Sequence, residues 1–277
     1  MTVPNVTFNN GVTMPQLGYG VWQVPDAEAE RVVKIALETG YRSIDTAAIY
    51  ENEEGTGRAL RASGVPREEL FVTTKLWNSE QGYDSTLRAF DASLERLGLE
   101  YVDLYLIHWP MPSRGLYLDT WRAFEKLHAD GRVRAIGVSN FTVETLTRLL
   151  DETEVVPVLN QIELHPYLQQ EELRAFHAEH GILTEAWSPL GQGKGLLDDA
   201  ELARLAAGHG KTPAQLVLRW HLELGNVVIP KSATPSRIAE NFDVFDFELT
   251  DEDKAAIAAL DKGTRFGPDP ATFTGLG

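Results

Sequence analysis

The sequence contains no cysteine, no long apolar run and few cations relative to its acids. The absence of cysteine excludes disulfides, thiolate catalysis, iron–sulfur clusters and cysteine-ligated zinc, so any redox chemistry must use a bound cofactor. No apolar run approaches the roughly 18 residues of a membrane-spanning helix. The 25 Lys and Arg residues stand against 41 Asp and Glu residues, and the net charge of −16 disfavours nucleic acid and anionic lipid as partners.

What is present is the composition of an ordinary folded protein. The chain has 277 residues, of which 43% are apolar and 24% are charged. Its length is close to the roughly 250 residues of an eight-unit β/α barrel. The first charged residue is Asp26, so the N-terminus lacks the basic segment of a secretory signal. Because no linker or low-complexity segment interrupts the sequence, we expect residues 1–277 to form one domain. Because the basic N-terminal segment and a long apolar run are both missing, we expect the protein to be located in the cytoplasm.

Short apolar segments alternate with amphipathic segments along most of the chain. From Tyr41 on, the apolar segments start roughly 24 to 31 residues apart, the length of a βα unit, with one longer interval before the last segment. The amphipathic segments include Glu28–Thr39 and Thr142–Leu150. The eight predicted strands are Leu17–Gly20, Tyr41–Ile44, Phe71–Thr74, Val102–Ile107, Val133–Val138, Val158–Ile162, Ile182–Trp187 and Val227–Ile229.

This pattern predicts an α/β fold, a closed (β/α)8 or TIM barrel. The runs VDLYLIHW and AIGVSN lack polar alternation, as is typical of parallel strands buried on both faces. An open doubly wound sheet would need a glycine-rich turn after its first strand, and Gly18–Gln23 lacks the third glycine of that turn. Before the barrel, Val3–Phe8 and Val12–Pro15 flank a turn sequence and predict a β-hairpin. We expect this hairpin to plug the N-terminal end of the barrel and extra helices to lie near the C-terminus.

Four chemically active side chains fall at or just after the C-terminal ends of consecutive strands, where barrel enzymes carry their working residues. Asp45 ends the second strand and Tyr50 follows in its loop, while Lys75 ends the third strand and His108 the fourth. Taken singly, each has a structural alternative: a capping carboxylate, a packed ring, a surface cation or a hydrogen-bonded rim residue. Together they form a set that can transfer protons.

The set suits the reduction of a carbonyl, in which hydride attack forms an alkoxide that must take up a proton. A free tyrosine has a pKa near ~10, too high for ready proton exchange at neutral pH. The ammonium of Lys75 would lower the pKa of Tyr50 by favouring the phenolate. Asp45 would hold Lys75 in place and keep it protonated. His108 would orient or polarise the substrate oxygen, as the donors of an oxyanion hole do.

Longer motifs resemble those of one enzyme family. Gly40–Gly57, which contains Asp45 and Tyr50, resembles the strand-two signature of the aldo-keto reductase family. Later matches follow the family order, from about residue 5 to residue 261 in all. They are Gly137–Phe141, Asn160–Pro166, Ile229–Ser232 and Arg237–Asn241. Within the family the sequence most resembles the bacterial 2,5-diketo-D-gluconate reductases, on the segments Trp187–Gly193 and Phe242–Phe247.

The resemblance implies an enzyme that reduces small aldehydes, ketones or keto-sugars with NADP(H), bound without a Rossmann fold. It implies a catalytic tetrad of Asp45, Tyr50, Lys75 and His108, with Tyr50 as the general acid. Its implied contacts to the nicotinamide are Ser139, Asn140 and Gln161 at the carboxamide and Trp187 as the stacking ring. It also implies cofactor contacts from the residues that follow this ring, Ser188, Leu190, Gly191 and Gln192. Strand-end hydrogen bonds and core packing are the structural alternatives for Asn140, Gln161 and Trp187.

The resemblance also implies a site for the adenosine 2′-phosphate. Lys231, Ser232, Thr234 and Arg237 match the segment that binds this phosphate, and Glu240 and Asn241 match positions that face the adenine. Two cations and two hydroxyls so close together suit a phosphate monoester and favour NADPH over NADH. The alternative is an ordinary helix start, a role compatible with phosphate binding because helix N-termini attract anions.

The predicted substrate pocket departs from the family pattern at two positions. Glu51 stands where the family usually has glycine, and its charge would disfavour anionic substrates or raise the pKa of Tyr50. Trp22 stands where the diketogluconate reductases tend to have a smaller aromatic residue. The residues predicted to contact substrate are Trp22, Trp77, His108 and Trp109, with plain packing as the alternative for the tryptophans. The short loop Met111–Leu118 and the short tail Pro268–Gly277 predict an open site.

Two other functions are weighed against the reductase. A sensor protein would keep the nucleotide site and turn over slowly, whereas all four tetrad positions are filled here. A metal-dependent hydrolase or isomerase would need ligands, for which Glu163, His165 and Glu185 are candidates, but their spacing matches no metal motif and we expect no metal. We expect a monomer that acts on a small-molecule carbonyl substrate, with no nucleic-acid or membrane partner.

Overall fold

The computed structural model describes residues 3–276 and contains a sheet of eight parallel strands. A two-stranded hairpin of β1 (Asn5–Thr7) and β2 (Thr13–Pro15) precedes this sheet. The eight strands of the sheet, in chain order, are β3 (Tyr19–Gly20), β4 (Ser43–Asp45), β5 (Phe71–Leu76), β6 (Val102–Ile107), β7 (Val133–Ser139), β8 (Leu159–Glu163), β9 (Leu183–Trp187) and β10 (Val227–Val228). Within the eight-stranded sheet, each strand pairs with the next one along the chain.

The sheet closes on itself. Leu17, just before β3, forms a parallel bridge with Val228 of β10, and the amide of Gly18 donates to the Val228 carbonyl at 2.8 Å. The Val228 amide in turn donates to the carbonyl of Gln16 at 3.0 Å. The predicted closed barrel is therefore confirmed, and all eight predicted strands are present within a few residues of their expected bounds.

Helices surround the barrel. They are α1 (Asp26–Thr39), α2 (Glu53–Ala62), α3 (Tyr83–Leu97), α4 (Tyr117–Ala129), α5 (Val143–Glu152), α6 (Glu171–Glu179), α7 (Ala200–Gly208), α8 (Pro213–Glu223), α9 (Pro235–Phe242) and α10 (Asp251–Ala258). Both α7 and α8 lie between β9 and β10, and α9 and α10 follow β10, so the expected extra helices are present. Within the part of the chain that the structure describes, no helix has the length and apolarity to span a bilayer.

The hairpin covers the N-terminal end of the barrel, as predicted. Its two strands pair in antiparallel register, with Val6 opposite Met14. The ring of Phe8 lies 6.1 Å from the ring of Phe71, which begins β5. At the turn, Nδ2 of Asn9 donates to the carbonyl of Pro157, just before β8. These contacts bury a small apolar cluster at the barrel floor, which also includes Leu104, Ala135, Val158, Leu159 and Val227.

Backbone strain is concentrated at the opposite end of the barrel. Residues other than glycine rarely adopt positive φ angles, and such strain is typical of functional sites. Every residue other than glycine that has a positive φ angle in the range 3–276 lies in a loop that follows a barrel strand. They are Gln23, Glu51, Met111, Asn140, Gln170, Ser188 and Gln192. The strained loops therefore share the C-terminal face, where the catalytic residues of barrel enzymes lie.

Gly57 in the family signature has a packing role. A Cβ atom at this position of α2 would clash with the backbone carbonyl of Leu97, at the end of α3. We expect Gly57→Ala to lower the free energy of unfolding by about 1–3 kcal/mol, because backbone rather than a flexible side chain must move. A Cβ atom at Gly208, at the end of α7, would meet no other atom within 4 Å. Gly208→Ala should therefore leave stability unchanged or raise it by up to about 1 kcal/mol. Denaturant unfolding of both variants tests this, and equal stabilities would contradict it.

Candidate active site

The C-terminal ends of the strands surround a cavity of about 1280 Å³. Nearly all residues that the sequence predicts for catalysis and binding line it. Lys75 is an exception because it lies fully buried beneath the cavity floor. Gly191 is the other exception, since it packs beside Leu196 and Phe266 instead of facing the cavity.

A buried ion pair lies at the floor of this cavity. Lys75 on β5 donates from Nζ to Oδ1 of Asp45 on the adjacent strand β4 at 2.5 Å, and to the carbonyl of Thr46 at 2.9 Å. Burial disfavours the ammonium, but Asp45 and Tyr50 outweigh it and raise the pKa of Lys75. Lys75 is therefore a cation at neutral pH, held by a carboxylate that is itself almost wholly buried.

Tyr50 lies above this pair, at the end of the short 3₁₀ helix Ala48–Tyr50. Nζ of Lys75 is 5.1 Å from the centre of the Tyr50 ring. Burial raises the pKa of Tyr50, Lys75 opposes that rise, and Asp45 and Glu185 add to it. The sequence predicts the lowering effect of Lys75 correctly, but burial outweighs it. The phenol of Tyr50 is therefore protonated at neutral pH.

His108 follows β6 and is the third cavity-lining member of the predicted tetrad. Its ring is edge-on to Tyr50 at 5.6 Å and to Trp77 at 5.1 Å between ring centres. Burial, with a contribution from Lys75, lowers the pKa of His108 well below its usual value. The ring is therefore neutral, and a neutral imidazole can donate one hydrogen bond to a ligand oxygen.

The residues predicted to hold the carboxamide form a hydrogen-bonded group beside the tetrad. Oγ of Ser139 donates to the carbonyl of Gln161 at 2.8 Å, and Nδ2 of Asn140 donates to the carbonyl of His108 at 2.9 Å. Nε1 of Trp187 donates to Oδ1 of Asn140 at 2.8 Å. The strand-end hydrogen bonds that were the structural alternative are thus present. They fix the half-buried ring of Trp187 at the cavity wall.

Gln161 also connects two buried carboxyl groups. Its Nε2 donates to Oδ2 of Asp45 at 2.9 Å and to Oε2 of Glu185 at 2.8 Å. From the sequence, Glu185 is a candidate only for a metal ligand. Among residues 3–276, no three His, Asp or Glu side chains cluster as a metal site. Glu163 instead accepts hydrogen bonds from His165 and from the amides of Phe266 and Gly267. The sequence signal that could have identified Glu185 as a site residue is its inward position on β9, two residues before Trp187.

The predicted phosphate site lies at the start of α9. Lys231 and Arg237 line the cavity and are exposed, and neither forms an ion pair with any described residue. Oγ of Ser232 accepts a hydrogen bond from the amide of Thr234 at 3.1 Å. The side chain of Thr234, the N-cap residue of α9, forms no capping hydrogen bond. The remaining predicted residues of this end, Ser232, Thr234, Glu240 and Asn241, line the same cavity. Two unpaired cations in so acidic a protein fit an anionic group such as a phosphate monoester.

Another part of the cavity wall is aromatic. Trp22, Trp77 and Trp109 line it as predicted, and Trp22 is 39% exposed. The C-terminal tail adds a wall that the sequence does not predict. The ring of Phe273 lies 4.4 Å from Trp109, and Nε1 of Trp77 donates to the carbonyl of Leu276 at 2.8 Å. From the short length of the tail we expect an open site, but the tail narrows the site instead.

Glu51 follows Tyr50 directly but is not among the acids that raise the pKa of Tyr50. Its φ of 54° is left-handed, the conformation that favours glycine. Its side chain is exposed. The acids that raise the pKa of Tyr50 are Asp45 and Glu185. The predicted effect of Glu51 on the pKa of Tyr50 thus comes from two buried acids instead, whereas its predicted effect on anionic substrates stays a prediction.

A closed barrel with a buried Asp–Lys pair, a tyrosine and a neutral histidine at its C-terminal face defines a candidate barrel oxidoreductase. Among models of protein families, the one described as "Aldo/keto reductase family" matches residues 13–262 of this chain. The chain belongs to the aldo/keto reductase family, which confirms the resemblance seen in its motifs.

Individual relatives cover essentially the whole chain. An aldo-keto reductase of Mycolicibacterium smegmatis is 60% identical over 274 residues, 99% of each chain. A protein named methylglyoxal reductase DkgA, from Escherichia coli, is 54% identical over 271 residues, 98% of each chain. Among solved structures, a Gox0644 variant in complex with NADPH has a TM-score of 0.95 and 52% identity, with 99% of this chain and 100% of that chain covered.

Proposed function

We propose that the protein is an NADPH-dependent reductase that transfers a hydride to small aldehydes, ketones or keto-sugars. The observation that carries the proposal is the buried Asp45–Lys75 pair beneath a protonated Tyr50, next to a neutral His108, at the floor of a large cavity. Family membership and the NADPH-bound Gox0644 neighbour support the reaction and the cofactor. The methylglyoxal reductases among the relatives support a small, reactive carbonyl as substrate.

The four tetrad residues divide the chemistry between them. NADPH supplies the hydride when it is bound. Tyr50 then gives its proton to the oxygen of the reduced carbonyl, as general acid. Lys75 stabilises the phenolate that results, and Asp45 keeps Lys75 charged and in place. His108 donates a hydrogen bond to the same oxygen and so stabilises its developing charge.

The cavity walls divide into a cofactor part and a substrate part. The proposed cofactor residues of the first part are Ser139, Asn140, Gln161, Trp187, Ser188, Leu190, Gly191 and Gln192, and at the adenosine end Lys231, Ser232, Thr234, Arg237, Glu240 and Asn241. Support comes from the unpaired cations at one end and the fixed Trp187 ring at the other. Gly191 acts indirectly, by shaping the loop. Trp22, Trp77, His108 and Trp109 are the proposed substrate contacts.

Removing one cation of the phosphate site should change the cofactor preference. We expect Lys231→Ala to raise the Kd for NADPH about 10-fold, the effect of losing one charge-assisted hydrogen bond of about 1.5 kcal/mol. The Kd for NADH should barely change, because NADH lacks the 2′-phosphate. Fluorescence titration measures both constants. Lys34→Ala removes another exposed cation, one on α1 that does not line the cavity, and serves as the control. Equal losses for the two cofactors would argue against the assignment.

The reductase itself is tested by two linked measurements. Six tryptophans, one of them Trp187, make fluorescence a suitable signal for NADPH binding. The loss of NADPH absorbance is then followed with methylglyoxal, aromatic aldehydes and keto-gluconates. Carbonyl-dependent oxidation supports the proposal and begins to define the substrate. Binding without turnover favours the sensor function instead, and no binding overturns the cofactor.

The single-domain organisation, the monomeric state and the cytoplasmic location stay predictions. The acidic surface supports a freely diffusing monomer, because like charges of −16 repel one another. Gel filtration with light scattering measures the mass directly. A mass of twice 30.8 kDa would contradict the predicted monomer.

A further inference from the structure

Glu185 is the exception among the buried carboxylates. Six carboxylates of residues 3–276 are buried, and five of them contact a cation or a histidine. These are Asp45 with Lys75, Glu53 with Arg96, Asp103 with Arg67 and Arg134, Glu163 with His165 and Arg265, and Asp253 with His209. Glu185 is fully buried and has no ion pair within the described chain.

The hydrogen bonds of Glu185 do not compensate a charge. Its Oε2 accepts one hydrogen bond, from Nε2 of Gln161, and its Oε1 is buried with no partner among the described residues. An ionised carboxylate has about four acceptor sites, and burying it with one donor is strongly unfavourable. By contrast, Asp45 accepts from Lys75 on one oxygen and from Gln161 on the other. The surroundings of Glu185 therefore suit a neutral carboxyl group.

The charge balance beneath the cavity leads to the same conclusion. The groups that face Glu185 are Asp45 on β4, Lys75 on β5, Tyr50 in the loop after β4 and Gln161 on β8. The Lys75 ammonium balances one carboxylate, which is Asp45. An ionised Glu185 would leave this buried group with a net charge of −1, close to the phenol that must release a proton.

We propose that Glu185 carries a proton in the active enzyme and is a positioning residue. As a neutral acid, it accepts a hydrogen bond from the Gln161 amide, which also holds Asp45. It adds no second negative charge beside Lys75, whose single anionic partner is then Asp45. This inference rests on the proposed reductase function. Its consequence for the reaction is electrostatic, because a negative charge at Glu185 would make Tyr50 a weaker acid. No proton passes from Glu185 to Tyr50 in this scheme.

The direction of the pH dependence follows from the same contacts. Burial, with a contribution from Asp45, raises the pKa of Glu185 to about 8. Below this pH Glu185 is neutral, and above it the carboxylate forms and raises the pKa of Tyr50. The kcat for reduction should therefore fall as the pH rises through this range. Stability should fall too, because the folded protein binds this proton more tightly than the unfolded chain between pH 4.5 and about 8.

Two variants separate positioning from charge. Glu185→Ala removes the acceptor for Gln161, and we expect kcat to fall by about 10-fold or more as Asp45 and Lys75 lose their alignment. Glu185→Gln keeps an oxygen in the same place and mimics the neutral acid. It should recover most of this loss at pH 7 and abolish the alkaline decline in kcat. A Glu185→Gln variant as impaired as Glu185→Ala, or one that keeps the alkaline decline, would overturn the proposal.

Infrared spectroscopy tests the proton without relying on turnover. The wild-type protein in D₂O at pH 7 should show the carbonyl band of a protonated carboxyl group, which fades as the pH is raised and is missing from Glu185→Gln. Glu53→Gln is the matched control, since it removes a buried carboxylate that pairs with Arg96 outside the site. It should keep both the band and the kinetic pH profile.

The outcomes distinguish this inference from the function on which it rests. If the wild type oxidises NADPH with carbonyls but lacks the band, the inference fails and the reductase stands. If the band is present and no carbonyl is reduced, the proposed function fails, and with it the role of Glu185 in the reaction. Should Glu185→Gln fail to fold, the titration of the wild-type band decides: a band absent at pH 7 refutes the proposal.

Discussion

Replacing Tyr50 with phenylalanine is expected to lower kcat for carbonyl reduction by about 10²–10⁴-fold, the range that a positioned general acid contributes. The substitution removes only the phenolic oxygen. The ring, with its edge-on contact to His108 at 5.6 Å, stays in place. The affinity for NADPH should therefore change little, because none of the proposed cofactor contacts involves this oxygen. Steady-state kinetics with methylglyoxal and a fluorescence titration with NADPH measure the two effects.

A control distinguishes loss of the acid from a general effect of the substitution. Tyr83 begins α3, is 41% exposed and does not line the cavity. Tyr83→Phe should keep wild-type kcat. If Tyr50→Phe turned over at the wild-type rate, Tyr50 would not be the proton donor and the division of roles within the tetrad would be wrong.

The second large effect is expected for Lys75→Met, which removes the cation of the buried pair. Asp45 is then left as an uncompensated charge with one remaining donor, Gln161. Breaking a buried pair in this way costs about 3–5 kcal/mol of unfolding free energy. The kcat should fall as well, because no ammonium stabilises the phenolate of Tyr50. Denaturant unfolding and kinetics at neutral pH measure both losses.

A double variant separates stability from catalysis. In Asp45→Asn/Lys75→Met both charges are gone, and an asparagine oxygen can still accept from Gln161. We expect most of the lost stability to return, since replacing both members of a buried pair is often nearly neutral. Activity should stay low. A double variant as unstable as Lys75→Met alone would show that the uncompensated charge is not the cause.

The parts of the fold and site that follow from local patterns are predictable from the sequence. Strand spacing gives the barrel because each βα unit repeats the same apolar segment. In barrel enzymes the catalytic residues lie at the C-terminal ends of the strands. This rule predicts Asp45, Lys75 and His108, because each of them ends or directly follows a predicted strand. Their meeting at one floor is a consequence of the parallel register of β4, β5 and β6.

What the sequence does not predict depends on contacts between distant segments. No spacing rule connects Phe273 in the tail with Trp109 after β6, although the two rings are 4.4 Å apart. The connection between Glu185 and Asp45 passes through Gln161 and depends on how β8 faces β4 across the barrel. The pKa of Tyr50 shows the same limit: a neighbouring cation can be inferred from a motif, whereas burial depends on the whole surroundings.

The junction between Gly18 and Val228 constrains the order in which the chain folds during synthesis. The first strand leaves the ribosome early, but the strand that completes its hydrogen bonds is among the last. The side chain of Gln16 likewise donates to the carbonyls of Leu222 and Asn226, more than 200 positions away. Contacts of such long sequence separation form slowly and late. A nascent chain therefore exposes an open sheet edge from the synthesis of β3 until that of β10, and the barrel becomes complete only after Val228 has been added.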